Sequence, residues 1–180
     1  GNALINARSE SLHSRNAFRE AFKSRRCLVL ADSFFEWQER DGQRQPFRVM
    51  FKSSEPFCFA GLWDRWVKPP AAGKDDTDLE EAPPSETIES FTIITRAATA
   101  AIAPLHDRMP VILRPNHFGW WLKDDDRRSE LHKSAMEHPL EEPLKIYPVS
   151  KLVNSPKTDD PRCLEPVRIE GDMFERQWWG

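Results

Sequence analysis

Apolar positions along this chain follow two rhythms, and the switches between them mark its elements. Asn16-Ala17-Phe18-Arg19-Glu20-Ala21-Phe22-Lys23 sets Phe18 and Phe22 four residues apart, which predicts a short amphipathic helix. Cys27-Leu28-Val29-Leu30-Ala31 and Phe57-Cys58-Phe59-Ala60-Gly61-Leu62-Trp63 are short apolar runs that read as buried strands. Between them, Ser33 to Glu39 leads into the turn Asp41-Gly42-Gln43, and Pro46-Phe47-Arg48-Val49-Met50-Phe51 returns as the second arm of a hairpin. Ser90-Phe91-Thr92-Ile93-Ile94-Thr95 has the β-branched residues of a strand. Ala97 to Ala103 predicts an alanine-rich helix stopped by Pro104, followed by a short strand Val111-Ile112-Leu113. Pro115 opens a helix over 116–122, Asp124 to Met136 predicts another, and Leu144 to Val149 a late strand. Residues 4 to 10 enter as an extended segment. The sum is an α+β fold with mainly antiparallel β-sheets and short helices at the periphery.

Composition narrows this further. The chain has 180 residues, 39% hydrophobic and 31% charged, as expected of one globular domain over 1–180. No apolar run reaches membrane-spanning length and no signal pattern opens the chain, so an intracellular protein without a membrane partner is expected. In a bacterium that means the cytoplasm or nucleoid. The net charge of −3 is set by residues 67–90, which hold seven acids against two lysines, with four prolines. That run reads as a flexible acidic insertion within the domain, and without it the chain is mildly basic. Cys27, Cys58 and Cys163 are odd in number, widely spaced and without a Cys-x-x-Cys pair, which argues against disulfides and thiolate zinc. The five histidines give no helical ligand spacing, and only seven glycines leave little for a phosphate-cradling loop. Neither a metal nor a cofactor is expected.

Chemistry gathers at three polar positions. Glu36 lies in Phe34-Phe35-Glu36-Trp37, where burial among rings would disfavour its charged form and suit it to proton transfer near neutral pH. The plainer alternative is a strand that turns Glu36 to solvent and Phe35 and Trp37 to the core. His106, in Leu105-His106-Asp107-Arg108-Met109-Pro110, is a proton shuttle candidate or a structural imidazole. Asn6 by itself reads as a turn or cap residue. Arg8, Arg15, Arg25, Arg26 and Arg108 could fork onto phosphate oxygens, or form ordinary surface pairs with partners such as Glu10 or Asp107. Surface pairing is the better reading for Arg25 and Arg26.

Taken together these segments resemble the SOS-response-associated peptidase (SRAP) family. The matching blocks are Asn6-Ala7-Arg8-Ser9-Glu10; Arg26 to Asp32 with Phe35-Glu36-Trp37; Phe59-Ala60-Gly61-Leu62-Trp63; Phe91-Thr92-Ile93-Ile94-Thr95; His106-Asp107-Arg108-Met109-Pro110; and Tyr147-Pro148-Val149-Ser150, in the family's order. The resemblance implies a barrel-like pair of sheets, with single-stranded DNA carrying abasic sites as the partner. It also implies Asn6, Glu36 and His106 as catalytic residues, and Arg8, Arg15 and Arg108 as holders of the DNA backbone. In the family's chemistry the opened abasic sugar presents an aldehyde. An N-terminal cysteine attacks it through its amine, and the thiol then closes a thiazolidine. Glu36 would move protons during ring opening, His106 would serve the sugar oxygen, and Asn6 would position the amine.

The chain opens Gly1-Asn2-Ala3, and on this resemblance it is expected to lack the family's N-terminal segment with that cysteine. Cys27, Cys58 and Cys163 cannot substitute, because each amine is a peptide nitrogen. Exposed strand edges are then expected to permit self-association. Two further readings stand beside cross-linking: a thiol peptidase that processes its own leader, and a non-catalytic single-strand-binding fragment with Trp37 or Trp63 for stacking.

Overall fold

The computed structural model describes residues 4–40, 42–68, 86–123 and 129–169. Most of the acidic insertion, residues 69–85, lies outside the described residues, as do Asp41, residues 124–128 and the Trp178-Trp179 end.

Two sheets make up the fold. The larger contains β1 (Asn6–Arg8), β6 (Thr87–Ala97), β5 (Phe57–Val67) and β2 (Arg26–Ala31), in that order. Where β5 and β6 diverge, the short strands β7 (Arg108–Pro110) and β8 (Ile112–Leu113) join them, β7 pairing with β6 and β8 with β5. The smaller sheet is antiparallel, in the order β3 (Ser33–Arg40), β4 (Gln43–Phe51), β9 (Leu144–Pro148). Helix α1 (Asn16–Ser24) precedes β2, and α2 (Pro115–Leu122) and α3 (Ser129–Glu137) follow β8. The class is α+β, as the periodicity predicts. One pairing departs from the antiparallel expectation: β1 runs parallel to β6, with Asn6 opposite Ile93 and Arg8 opposite Thr95.

Side-chain alternation decides what each face covers. Ala60, Leu62, Ile94 and Ala7 point from the large sheet into a cluster with Phe18, Phe22, Trp121, Ala135 and Met136 of the helices. The amphipathic stripe of Phe18 and Phe22 is therefore spent here, as its spacing predicts. On the opposite face of the sheet, near β8, Ile112 meets Phe34, Phe47, Val49 and Ile146 of the small sheet in a second core.

The β3–β4 hairpin has a two-residue loop, and Gly42 takes φ +72°, the left-handed geometry such a loop needs. That turn fixes the register, and a slip of one residue would invert every side chain that follows.

Three sequence expectations change. Ala97–Ala103 forms no α-helix. β6 continues to Ala97 through its pairing with Arg108, and Thr99 to His106 then folds as successive turns. The stretch left before Pro104 is too short to repay helix nucleation, so strand pairing overrides alanine propensity. The strands flanking the acidic run also reach into it, to Val67 from one side and from Thr87 on the other. Finally, Arg25 pairs with Asp64 at 3.4 Å as a surface arginine should, but Arg26 is buried. Its guanidinium donates to the carbonyls of Phe22, Lys23, Trp121 and Lys123 at the ends of α1 and α2.

Candidate functional site

Glu36 sits in the row Glu36–Phe47–Pro148 across the small sheet, beside the row Phe34–Val49–Ile146. Phe47, Val49 and Ile146 are buried, so Glu36 projects to the inner side, at the rim of the inter-sheet core. The plain reading, with Glu36 outward and its two neighbours inward, is thus reversed. Phe35 and Trp37 share the other face, their ring centroids 6.4 Å apart, and Trp37 Nε1 donates to Asn154 Oδ1 at 2.7 Å. Burial raises the Glu36 pKa above the ordinary carboxylate range. The fields of His106 and Arg44 and the Trp37 backbone amide oppose that rise, and the nearby Asp107 charge adds to it.

His106 reaches this rim because the turns of residues 99–106 lie against the small sheet. Ile102 and Leu105 enter its core, and Gln38 Nε2 donates to Pro104 O at 3.0 Å. The imidazole is 48% exposed. Its Nδ1 lies 2.9 Å from the Arg108 amide nitrogen and 3.2 Å from both Arg108 O and Asp107 Oδ1, and the tautomer sets whether it accepts from the first or donates to the other two.

The large sheet supplies the other wall. Residues in register share a face, so Cys27, Gly61, Ile93 and Asn6 form one row across four strands. Gly61 lets its neighbours close over that row: a Cβ there would stand only 2.9 Å from both Cys27 Sγ and Val29 Cγ2, so those side chains fill the space a larger residue would need. Arg8, Thr95 and Pro110 form a neighbouring row on the same face. Asn6 and Arg8 are both exposed.

Arg108 ties β7 to β6 and to the segment that follows β1. Its Nη1 and Nη2 hold Glu10 at 2.7 and 2.9 Å, and Nη2 also donates to Thr95 O at 2.7 Å. The guanidinium holds the Glu10 carboxyl well below its usual range, at about 2. Arg108 is therefore paired with Glu10, the partner anticipated for a surface arginine, and is only 18% exposed. Arg15 stands apart from these contacts, at the N-cap of α1 with its guanidinium 5.9 Å from the Phe18 ring centroid.

The structure thus joins Glu36 to His106 electrostatically, His106 to Arg108 through the backbone, and Arg108 to the strand end that carries Arg8. Glu10 and Thr95 are parts of this arrangement that the sequence named only in passing. Glu10's place in the Asn6-Ala7-Arg8-Ser9-Glu10 block was the available signal. Arg44 was missed altogether; the hairpin register could have placed it beside Trp37, whose ring centroid lies 5.6 Å from its guanidinium.

Comparison with known proteins places the chain in a family. The profile of the SOS response associated peptidase (SRAP) family matches residues 1–156. The chain is 34% identical over 166 residues to the abasic site processing protein YoqW of Bacillus subtilis, covering 92% of this chain and 68% of that one. It is 30% identical to the abasic site processing protein HMCES of Gallus gallus, covering 91% of this chain and 50% of its relative. A crystal structure of a Bacteroides thetaiotaomicron protein superimposes with a TM-score of 0.72 at 25% identity, over 91% of this chain and 66% of that one. A family profile spanning most of the chain, and relatives at this identity, place it without ambiguity: the chain belongs to the SOS response associated peptidase family.

Proposed function

We propose that this chain processes abasic sites in single-stranded DNA, with Glu36 and His106 as the acid–base pair that opens the baseless sugar. The carrying observation is the desolvated Glu36 carboxylate in the field of His106 at the rim between the sheets. In the closed sugar, C1′ bears a hydroxyl and the ring oxygen O4′. Glu36 takes the hydroxyl proton as the C1′–O4′ bond breaks, and the His106 imidazole donates a proton to the departing O4′. The products are a C1′ aldehyde and a free 4′-hydroxyl, with no redox change. A raised Glu36 pKa suits the step, since the group must both take and return a proton near neutral pH. A sugar without a base needs little unstacking, so it can enter an open rim.

The aldehyde is the electrophile for an N-terminal cysteine. Its amine adds to C1′ and loses water, and its thiol then adds to the imine carbon to close a thiazolidine. Asn6, on the facing wall, orients the amine. Arg8, Arg15 and Arg108 hold phosphates on either side, Arg108 by exchanging Glu10 for a phosphate. Turnover of external peptides by an internal cysteine is disfavoured, because burial keeps the Cys27 and Cys58 thiols protonated.

The test uses a chain bearing the N-terminal cysteine and an oligonucleotide with one abasic site. We expect a heat-stable adduct on a denaturing gel, forming at least ~10-fold more slowly with Glu36→Gln, within the usual contribution of a general acid–base group. An equal rate for the variant would remove Glu36 from the mechanism.

A further inference from the structure

We propose that Gln38 is a positioning residue of the sugar-opening step: by holding Pro104, it sets the separation between Glu36 and His106. This rests on the abasic-site reading above and adds a residue to it. The two reacting groups are built by different parts of the chain. Glu36 belongs to β3, whose register with β4 is fixed by the Gly42 turn. His106 closes the run of turns, 99–106, that follows the end of β6. A carboxylate and an imidazole that act on one sugar need their spacing held closely, and neither the strand nor the turns alone supply that.

The contacts that fix the run of turns differ in kind. Its base is closed by Ala98 N–H, which donates to Asp107 O at 2.9 Å. Its body is held by Ile102 and Leu105, buried in the inter-sheet core with Phe47, Val49 and Ile146. Such apolar contact sets depth, but it is non-directional and does not stop the turns from sliding along β3. Gln38 Nε2, donating to Pro104 O at 3.0 Å, supplies the direction.

The placement of this bond suits the task. Gln38 follows Glu36 by two residues on β3, so both side chains leave the same face, roughly 7 Å apart along the strand. Pro104 precedes His106 by two residues, and its ring stiffens the backbone at the anchored carbonyl. Gln38–Pro104 is thus a rung beside Glu36–His106, with the same offset on both segments. Gln38 is half-buried at the rim, where water can take the place of a lost donor on Pro104 O. Water satisfies the carbonyl but is not tethered to β3, so losing the carboxamide costs placement more than folding.

The charges around Glu36 give a readout that folding alone would not move. His106, Arg44 and the Trp37 amide favour its ionised form, while burial and Asp107 oppose it. When the turns slip, the core around Phe47 still excludes water, but the His106 field weakens. Asp107 moves as well, yet His106 has the stronger influence of the two, so the Glu36 titration shifts to higher pH.

The main variant is Gln38→Met, which keeps the length and loses the donor. In the 180-residue chain, NMR of the Glu36 carboxyl carbon should show a titration midpoint moved to higher pH, with the circular dichroism spectrum unchanged. In a chain bearing the N-terminal cysteine, adduct formation at neutral pH should slow about tenfold. Affinity for an oligonucleotide with tetrahydrofuran at the abasic position, a ring that cannot open, should stay as in the parent. Gln38→Lys restores a donor of similar reach and should recover most of the lost rate. A Glu36 midpoint or an adduct rate unchanged by Gln38→Met would overturn the proposal. So would a rate lost together with affinity, or a lysine variant as slow as the methionine one. Should the parent itself form no adduct, the abasic-site reading fails and the NMR midpoint decides alone: a shift to higher pH upholds Gln38 as the spacer of Glu36 and His106, and no shift removes it.

Discussion

Glu36 faces two opposing demands that separate with pH. Its folded pKa is raised, chiefly by desolvation, so the folded chain holds this proton more tightly than the unfolded chain does. Below the ordinary carboxylate range both states are protonated and the residue costs the fold nothing. As pH climbs from the ordinary value through the raised one, the unfolded state ionises first and stability falls. Above that window the whole penalty remains. Glu36→Gln keeps the shape without the charge, so it should be more stable than the parent at pH 7 and nearly equal to it at about pH 4. Urea denaturation at both values measures this; a variant less stable at pH 7 would mean that attraction from His106 outweighs desolvation. Conventional selection for stability would not retain such a carboxylate, which is the pattern expected of a working group. Its perturbation was legible in Phe34-Phe35-Glu36-Trp37, but the agents were not. Phe35 and Trp37 lie on the far face, and water is excluded by the inter-sheet core around Phe47, which only the hairpin register reveals.

At the level of elements, Arg26 does what no local propensity could. The last carbonyls of a helix have no partner within it, and the ends of α1 and α2 meet beside β2. One guanidinium satisfies carbonyls from both, with Trp121 O and Lys123 O each 2.6 Å away. Lysine keeps the charge but lacks the planar fork, and would strand some of these groups. Arg26→Lys should cost about 2–4 kcal/mol in chemical denaturation, the sum of one or two buried acceptors left unmatched. A loss below about 1 kcal/mol would show that water replaces the missing donors. Elements with a local cause were readable: α1 from its phenylalanine spacing, and the β3–β4 hairpin from Asp41-Gly42. Elements with a distant cause were not. Ala97 joins β6 because Arg108 is across from it, and β1 runs parallel because the chain returns to β6 after a long excursion; neither partner is adjacent in sequence. Arg26 misled for the same reason, since its acceptors Trp121 and Lys123 belong to a helix far along the chain.

For the molecule as a whole, the question is how a chain of net charge −3 would hold a polyanion. The overall field cannot supply attraction, so affinity must come from a few cations that meet phosphates directly. The structure divides those cations by their present engagement. Arg108 is already neutralised by Glu10, whereas no carboxylate pairs with the exposed Arg8 among the described residues. A cation that binds phosphate from water releases counterions; one that exchanges an internal carboxylate for a phosphate gains little, because the freed carboxylate recovers its own. Arg8→Ala should therefore flatten the dependence of log affinity on log salt by about 0.7 for single-stranded DNA. Arg108→Ala should change that slope far less while still weakening binding. Glu10→Gln should strengthen binding and steepen the slope, by freeing the Arg108 fork. Anisotropy of a labelled abasic oligonucleotide titrated across potassium chloride concentrations separates the three. Equal flattening by Arg8→Ala and Arg108→Ala would show that Glu10 has already left the guanidinium when DNA arrives. Arg108 would then be a phosphate clamp in its own right, held off the substrate only while the site is empty.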